Sequence, residues 1–441
     1  MASPFPRKTP LSSPTVRRFL RGGAALLLLA ALSATAQPLP RVRPEEVGVS
    51  TERLARLTAS LERYVVEERL AGGVALVARR GKLVTLQAFG HRDREAPSPM
   101  REDTIFRIAS QTKAIVSVGV LILQEEGRLL IGDPVAKYLP EFRETTVAVP
   151  KDGGGFEVVK AKRSITLRDL LTHTAGVGYG GGAGAERWKA AGIQGWYFAD
   201  RDEPIGATVS RMAALPFDAQ PGEKWVYGYS VDILGAVLEK ASGQDLDAFL
   251  RSRIFAPLGM NDTSFYLPEE KRDRLAVVYS ASSDGRLVRA ADGSGMERQG
   301  DYVKGPRRSY SGGAGLLSTA GDYARFLQML LNEGELEGRR VLSRKTVRLM
   351  TANHVGDKLA RTSESVRGEG FGLGVAVREE LGLQGTPGSV GEFGWGGAYH
   401  TSYWVDPAEK LVVVYMTQLI PAREIDDHGK LRVLVYQALV D

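Results

Sequence analysis

The chain of 441 residues contains no cysteine, so it can form neither disulfide bonds nor thiolate metal sites. It has five histidines, and none of them stands in an HExxH pattern or in a cluster with ligand-like spacing. The sequence therefore predicts no metal and no other cofactor. With 43% hydrophobic and 25% charged residues, the composition is that of an ordinary globular protein, which excludes a disordered or collagen-like chain.

Long apolar runs are also missing. The run at residues 24–32 is too short for a comfortable membrane span, and no later stretch approaches about eighteen uninterrupted apolar residues. This run follows a basic segment and precedes Ala34-Thr35-Ala36, a pattern typical of a secretory signal peptide. We expect residues 1–36 to be removed after Ala36, which leaves a periplasmic or secreted protein without a stable membrane span. The pair Arg17-Arg18 leaves both Sec and twin-arginine export open.

The formal net charge of +6 comes almost entirely from this leader. Residues 1–36 hold five basic and no acidic side chains, so the 58 basic and 52 acidic residues of the full chain leave 53 and 52, a net charge of +1, in residues 37–441. This correction removes the only compositional support for nucleic-acid binding, and no nucleic-acid partner is predicted. The oligomeric state is left open.

Hydrophobic patterns predict strands and one helix at each end of the chain. After Ser50, a good N-cap, leucines at helical spacing predict an amphipathic helix that ends near Gly72-Gly73. Short apolar runs separated by turn residues predict two pairs of strands. These elements are residues 74–79 and 83–90 near the start, and residues 401–405 and 411–417 near the end, where a last helix carries Leu431, Leu434, Val435 and Leu439 on one side.

The predicted fold class is α/β, of the α+β type, in which N- and C-terminal helices flank an antiparallel sheet and a mainly helical region is inserted. The sheet region would comprise about residues 41–105 and 305–441, and the helical region about residues 106–304. Both belong to one catalytic domain, residues 37–441. A cleft between two such regions is a favoured place for a ligand site.

A serine and a lysine three residues apart open the helical pattern of residues 106–129. Taken alone, Ser110 can be an N-cap and Lys113 a solvated residue of the first turn. A cation near a helix N-terminus is slightly unfavourable, however, and residues i and i+3 share a helix face. A lysine whose pKa is lowered by burial can take the proton of a serine hydroxyl, so the pair is a candidate nucleophile and base.

Two further stretches are candidate partners for this pair. Tyr227 lies in the loop before a helix that closes at Gly243, where it can equally be a packing aromatic. Trp395-Gly396-Gly397 precedes a strand, and glycines there let backbone N–H groups approach a ligand closely.

Taken in order, these motifs resemble the serine β-lactamase and penicillin-binding fold, and within it the class C β-lactamase-like family VIII carboxylesterases. The resemblance spans nearly all of the chain after residue 36. S-x-x-K is Ser110 to Lys113, the Y-x-N position is Tyr227-Gly228-Tyr229, and the K-T-G position is Trp395-Gly396-Gly397. The phrases LLTHTAG, IFAPLGMNDTSF and SGGAGLLSTAGDYARFLQML are similar to the family as well. No G-x-S-x-G occurs, which argues against an α/β-hydrolase nucleophile elbow.

The resemblance implies a serine hydrolase that forms an acyl-enzyme intermediate. Ser110 would be the nucleophile, and Tyr227 or Lys113 would take its proton. The backbone N–H groups of Ser110 and Ala398 would bind the oxyanion. His173, within LLTHTAG, is expected to be structural, because the resemblance gives the base role to other residues. The residues expected to contact substrate are Tyr229, Trp395, Gly396, Gly397 and His400.

Two departures from the family pattern bear on the substrate. Trp395 and Tyr229 replace the lysine and asparagine with which penicillin-recognising enzymes help to hold an anionic substrate and contact its amide. Loss of a charge-assisted hydrogen bond favours a neutral, partly apolar small-molecule ester. Three interpretations remain open: an exported serine esterase, a β-lactamase or D-stereospecific peptidase, and a catalytically inactive wall-binding relative.

Overall fold

Apolar strands from both ends of the chain build one large antiparallel sheet. The computed structural model describes residues 38–96, 98–283 and 285–441. In chain order the strands are β1 (Gly72–Arg79), β2 (Lys82–Asp93), β3 (Ser98–Pro99), β4 (Phe106–Arg107), β5 (Thr146–Pro150), β6 (Phe156–Lys160), β7 (Tyr279–Ala281), β8 (Leu287–Arg289), β9 (Leu317–Ser318), β10 (Glu335–Leu336), β11 (Arg339–Arg340), β12 (Glu369–Phe371), β13 (Ala376–Arg378), β14 (Phe393–Gly397), β15 (Thr401–Asp406) and β16 (Leu411–Met416). The large sheet has the spatial order β12-β13-β14-β15-β16-β1-β2-β3, and the other strands form two-stranded ladders.

The strands at the centre of the sheet confirm that both ends of the chain share it. β1 lies between β2 and β16, with Val74 opposite Met416 and Arg79 opposite Leu411. Every residue of β1 and β16 is buried, because both faces of the sheet are covered. The two hairpins predicted from short apolar runs are therefore the strands β1–β2 and β15–β16.

Helices cover these two faces. Ser50 caps α1 as predicted, and its Oγ accepts a hydrogen bond from the Arg53 N–H at 3.2 Å. The predicted end of this helix near Gly72 is wrong, because residues 72–79 form the first strand. The helices are, in chain order, α1 (Thr51–Val66), α2 (Thr112–Glu125), α3 (Leu167–Leu171), α4 (Ala185–Ala190), α5 (Ile205–Met212), α6 (Ser230–Ser242), α7 (Leu246–Leu250), α8 (Ala256–Leu258), α9 (Ala320–Leu331), α10 (Arg344–Met350) and α11 (Asp427–Tyr436).

Alternate side chains of the central strands belong to two separate cores. Ala75 and Val77 of β1 pack with α1 and α11 on one face, while Val74 and Leu76 pack with α2, α6 and α9 on the other. Full burial of each aliphatic side chain of valine or leucine size contributes roughly 1.5 to 3 kcal/mol. The fold is thus a sheet with helices packed on both faces, which confirms the predicted antiparallel sheet flanked by helices.

One predicted boundary needs correction. Residues 305–368 were assigned to the sheet region, yet they contribute the helices α9 and α10, and the C-terminal strands of the main sheet begin only at Glu369. Within the inserted region α2 and α6 pack closely, since a Cβ at Gly119 would lie 2.8 Å from Leu238 Cδ1. These two helices carry the first two sequence motifs at or before their N-termini.

The described residues belong to the compact unit Ala36–Asp441. None of the helices in this part of the chain combines the length and apolarity needed to cross a membrane. The predicted signal peptide, residues 1–36, lies outside the described residues and stays a prediction.

Candidate active site

Ser110 lies in a strained turn directly before α2. Ala109 has a φ of 41°, in the left-handed region that residues with a Cβ rarely adopt. Ala109–Gln111 form a 3-10 turn and the helix begins at Thr112, so the alternative in which Ser110 is only an N-cap does not hold. The half-buried serine lines a cleft instead. Strained backbone of this kind is concentrated at functional sites.

Lys113 is only 1% exposed, and its ammonium group is the centre of a hydrogen-bond network. Nζ donates to Ser110 Oγ at 3.1 Å, to Tyr179 OH at 3.1 Å and to the Gly313 carbonyl oxygen at 2.8 Å. Three acceptors match the three donors of an ammonium group. The serine and the lysine therefore meet, as their spacing suggests, and Nζ is held in place by three contacts.

Burial and neighbouring groups act on the pKa of Lys113 in opposite directions. Burial lowers this pKa, whereas the oxygens of Tyr179, Tyr227 and Asp232 raise it, and the net pKa lies above its ordinary value. Burial also raises the pKa of Tyr179, which the Lys113 charge offsets only in part. The lowered lysine pKa considered from the sequence is therefore wrong. The two raised pKa values favour an ammonium ion at Lys113 and a neutral phenol at Tyr179.

Tyr227 stands over this ammonium group in the loop before α6. The ammonium nitrogen lies 4.5 Å from the centre of the Tyr227 ring, a cation–π contact, and Tyr227 OH accepts a hydrogen bond from Trp395 Nε1 at 2.9 Å. The loop position depends on Gly228, where a Cβ would lie 2.4 Å from the Val177 carbonyl oxygen. This close crossing sets the Tyr227 ring edge-on to Tyr179, with centroids 5.8 Å apart.

The third motif forms the edge of the cleft where β14 ends. A Cβ at Gly397 would lie 2.4 Å from the Ile108 carbonyl oxygen and 2.3 Å from Thr401 Oγ1. Only glycine lets the strand come this close to the turn that carries Ser110. The next residue, Ala398, is exposed, and its N–H donates no hydrogen bond to any described residue. This N–H is available to a ligand, which the predicted oxyanion role requires.

These groups surround a cleft of about 490 Å³. Lys113 lies behind Ser110, and four aromatic side chains, two of which the sequence analysis had missed, stand along the walls. Tyr179 could have been noticed, because it follows LLTHTAG in the same glycine-rich loop. No sequence signal marked Trp196. The lining residues are Ser110, Tyr179, Trp196, Tyr227, Trp395, Gly396, Gly397, Ala398, His400, Thr401, Ser402 and His428.

Tyr229 is not among the lining residues, and the expectation that it contacts substrate is wrong. It is 0% exposed, and its OH donates to the Gly195 carbonyl oxygen at 2.8 Å. Its ring stacks on Trp188 and meets Tyr179 edge-on, at centroid distances of 5.5 and 5.1 Å. Tyr229 therefore supports Tyr179 from the core side.

His400 joins the cleft wall from the turn after β14, with a φ of 65°. Its Nε2 lies 2.7 Å from Asp427 Oδ1, and its ring stacks on His428 with centroids 4.0 Å apart and planes 15° apart. The three side chains carry donors suitable for a metal. Nitrogen lone pairs lie in the ring planes, however, and nearly parallel planes do not converge on one ion as a tetrahedral site demands. The cluster instead ties the start of α11 to the cleft wall.

His173 lies beneath Tyr227 and is 0% exposed. Neither ring nitrogen has a hydrogen-bond partner among the described residues, and its ring centroid is 4.6 Å from that of Tyr227. Burial, assisted by the Lys113 charge, lowers the pKa of His173 well below its ordinary range. The neutral ring acts as an aromatic support, in keeping with the structural role expected for it.

A serine, a buried lysine and a tyrosine that meet in a cleft beside a sheet edge define a class of serine hydrolases. Consistent with this geometry, the chain belongs to the Beta-lactamase family, whose model matches residues 57–436.

Individual relatives narrow the class. Esterase EstB of Burkholderia gladioli is 37% identical over 386 residues, which cover 82% of this chain and 90% of that protein. Lovastatin esterase of Penicillium rubens is 30% identical over 342 residues, covering 73% and 81%. Among solved structures, EstCE1, a hydrolase with promiscuous acyltransferase activity, has a TM-score of 0.76 at 28% identity and covers 87% of this chain and 99% of its own. The protein is a serine hydrolase of the esterase/acyltransferase type, which confirms the predicted family and fold.

Proposed function

We propose that this protein is an exported carboxylesterase that cleaves neutral esters through an acyl-enzyme on Ser110. The observation that carries the proposal is the 3.1 Å contact between Ser110 Oγ and Lys113 Nζ at the base of an aromatic cleft. A serine hydroxyl held in this way is oriented for attack and lies beside a fixed positive charge that stabilises developing negative charge.

The first half-reaction forms the acyl-enzyme. Ser110 Oγ attacks the ester carbonyl carbon, its proton passes to Tyr227, which reacts as a phenolate beside the Lys113 ammonium group, and the carbonyl oxygen receives hydrogen bonds from the N–H groups of Ser110 and Ala398. The bond between carbonyl carbon and alkoxy oxygen then breaks, and the proton held by Tyr227 passes to the departing alcohol. Lys113 keeps its own proton, which its raised pKa supports.

The second half-reaction releases the acyl group. Water attacks the acyl carbon, gives up a proton to Tyr227, and Ser110 leaves with that proton to restore the starting state. The Trp395 Nε1 hydrogen bond fixes the Tyr227 oxygen during both steps. Loss of one oxyanion donor in such a reaction costs about 3 to 4 kcal/mol of barrier.

The charges of the cleft favour a neutral substrate. No lysine or arginine lines the cleft in the described part of the chain, and His400 is already paired with Asp427. A carboxylate of the kind that β-lactams carry would lose hydration there without gaining a charged partner. Trp395 offers apolar surface to the acyl or alcohol portion of an ester instead.

Turnover of p-nitrophenyl esters of graded chain length, measured beside nitrocefin, tests this proposal. The expected result is hydrolysis of short neutral esters with a kcat/KM far above that for nitrocefin. A kcat/KM that is higher for nitrocefin would assign the protein to the β-lactamases, and absence of turnover with every substrate would support an inactive binding protein.

Acyl transfer is a second candidate activity. EstCE1 combines hydrolysis with transfer, and the aromatic cleft described above has surface on which an alcohol can displace water. Adding a primary alcohol to the p-nitrophenyl ester assay distinguishes the two, because transfer yields a new ester that gas chromatography detects. If only free acid forms at high alcohol concentration, the protein is a hydrolase alone.

Export rests on residues 1–36, in which a basic segment, an apolar run and Ala34-Thr35-Ala36 follow one another. Mature protein from the envelope or culture medium should begin at Gln37. N-terminal sequencing that finds residues 1–36 intact on active protein would reject the proposal.

A further inference from the structure

Asp232 is a buried carboxylate that the mechanism above does not use. It lies in the first turn of α6 and is 1% exposed. Its Oδ1 accepts hydrogen bonds from Ser311 Oγ at 2.6 Å and from the Gly313 N–H at 3.1 Å. Among the described residues Asp232 makes no direct ion pair with a lysine or an arginine. A buried charge in this condition is costly unless another charge compensates it nearby.

One residue, Gly313, connects this carboxylate to the candidate catalytic lysine. The N–H of Gly313 donates to Asp232, while the carbonyl oxygen of the same residue accepts the 2.8 Å hydrogen bond from Lys113 Nζ. The loop lies directly on the carboxylate, since a Cβ at Gly313 would come 2.3 Å from Asp232 Oδ2. Ser311 Oγ also accepts a hydrogen bond from the Ala314 N–H at 3.2 Å, which holds the loop in shape.

The other groups around Lys113 are a hydroxyl, two phenols and an imidazole, none of which is a carboxylate. Ser110 and Tyr179 are neutral hydrogen-bond acceptors, and His173 is a neutral ring. Tyr227 presents its ring face at 4.5 Å. Asp232 is thus the carboxylate among the groups that raise the pKa of Lys113. Burial raises the pKa of Asp232 overall, and the Ser311 hydrogen bond and the Lys113 charge oppose that rise.

We propose that Asp232 is a positioning residue, which supports the Lys113 ammonium group with a buried negative charge and, by anchoring Gly313, holds Nζ on Ser110. The inference rests on the proposed roles of Ser110 and Lys113. Charge and hydrogen bonding act together, because the carboxylate anchors the Gly313 N–H while the carbonyl of the same residue, in the next peptide group, accepts from Lys113 Nζ. The carboxylate therefore strengthens the contact that orients the nucleophile.

The test is the substitution Asp232→Asn, which keeps the shape and the Oδ1 acceptor but removes the charge. We expect kcat for p-nitrophenyl butyrate to fall at least about tenfold with a smaller change in KM, because the substrate does not touch Asp232. We also expect the alkaline limb of the kcat/KM profile to move about one pH unit lower, because Lys113 loses its proton more easily without the neighbouring charge.

Two other variants separate charge from structure. Asp322→Asn is the matched control, since Asp322 also accepts from a backbone N–H and a hydroxyl, those of Asp262 and Thr263, but the charges that act on it are those of Asp262 and Lys271 rather than Lys113. Its alkaline limb should stay at the wild-type pH. Ser311→Ala removes a hydrogen bond but not the charge, and its alkaline limb should stay in place as well.

These outcomes test the role of Asp232 separately from the proposed function. A folded Asp232→Asn enzyme with an unmoved alkaline limb overturns it, even if the rate falls, because a purely structural role would give that result. If the variant does not fold, ¹⁵N-lysine NMR of the wild type decides, with Lys113→Arg used to assign the Lys113 signal. A Lys113 side chain that stays charged above about pH 9 supports the inference, and one that titrates near pH 7 overturns it. An active Ser110→Ala enzyme would instead refute the proposed function.

Discussion

The two sides of the cleft are built differently. On the helical side Ser110 and Tyr179 are both hydrogen-bonded to Lys113 Nζ, and Asp232 is buried nearby. On the sheet side residues 395–400 present an indole, bare glycine backbone and an imidazole, most of them half-exposed. Each polar group on the helical side is held by hydrogen bonds to its neighbours, whereas the sheet side presents mainly surface whose side chains can be substituted. We therefore propose that the helical side supplies the nucleophile and the proton transfer, while the sheet side supplies the Ala398 oxyanion donor and selects the substrate.

The largest effect is expected from Ser110→Ala on the helical side. This change should lower kcat/KM for p-nitrophenyl butyrate by roughly 10⁴-fold or more, because the nucleophile is gone and only binding and oxyanion contacts remain. The urea unfolding curve should be unchanged, since one hydroxyl in a turn contributes little to the core. Residual activity within about tenfold of wild type, under roughly 1.4 kcal/mol of barrier, would contradict the assignment.

A pair of tyrosine substitutions gives the next largest effect. Tyr227→Phe should lower kcat by roughly 10² to 10⁴-fold, because the proton acceptor is lost. Tyr229→Phe is its control, and it should keep most of the activity while losing about 1 kcal/mol of unfolding free energy with the Gly195 hydrogen bond. Steady-state kinetics and urea unfolding of both variants are the measurements. Equal losses of kcat would show that the two tyrosines have not been distinguished correctly.

Changes at Trp395 test whether the sheet side selects. Trp395→Lys should lower kcat/KM for a neutral ester by roughly tenfold, because a lysine beside an apolar acyl group loses hydration. The ratio of nitrocefin to p-nitrophenyl butyrate kcat/KM should rise, though good β-lactamase activity is not required. Trp395→Phe keeps the apolar wall without the Tyr227 hydrogen bond, and should leave that ratio at the wild-type value. A ratio that is unchanged or lower in a folded Trp395→Lys enzyme would place selection elsewhere, for example at His400.

The smallest catalytic effect is expected from a change at Asp427, whose contact with His400 should contribute mainly to the free energy of unfolding. Burial alone would raise the pKa of Asp427, but hydrogen bonds and charge from His400 outweigh it and lower this pKa. A depressed carboxyl pKa stabilises the fold above the unfolded value of about 3.9, and this contribution is lost as pH falls through the folded value. Asp427→Asn should cost about 1 to 3 kcal/mol at pH 7 and progressively less below about pH 4.

Urea unfolding of wild type and Asp427→Asn across pH measures this difference. A stability gap that stays constant or widens below pH 4 would show that the carboxylate charge is not what stabilises the tie.

The sheet and the motif residues could be predicted because both depend on local patterns in the sequence. Short apolar runs separated by turn residues predicted β1, β2, β15 and β16, and S-x-x-K brought its two side chains together on adjacent turns. Helix ends were less accurate, since the glycines at residues 72–73 look like a helix stop but continue into β1. The predicted second part of the sheet region, which starts at residue 305, also begins too early, because the C-terminal strands of the main sheet begin only at Glu369.

Three features of the site could not be read from the sequence. Tyr229 occupies a motif position, yet the turn into α6 points its ring into the core. Trp196 and His428 come from segments far from any motif, and only the fold brings them to the cleft. The sign of the Lys113 pKa change was also unpredictable, because it depends on Asp232 and two phenols whose positions are set by separate loops.

Covalent labelling measures the central claim most directly. A butyl p-nitrophenyl phosphonate forms a stable bond with an activated serine and releases p-nitrophenol, so tryptic peptides of the treated protein show which residue reacted. The account predicts one adduct per chain, on Ser110, with esterase activity lost in parallel, and none in Ser110→Ala. An enzyme that is inactivated through another residue, or that turns over esters while Ser110 stays unmodified, would contradict it.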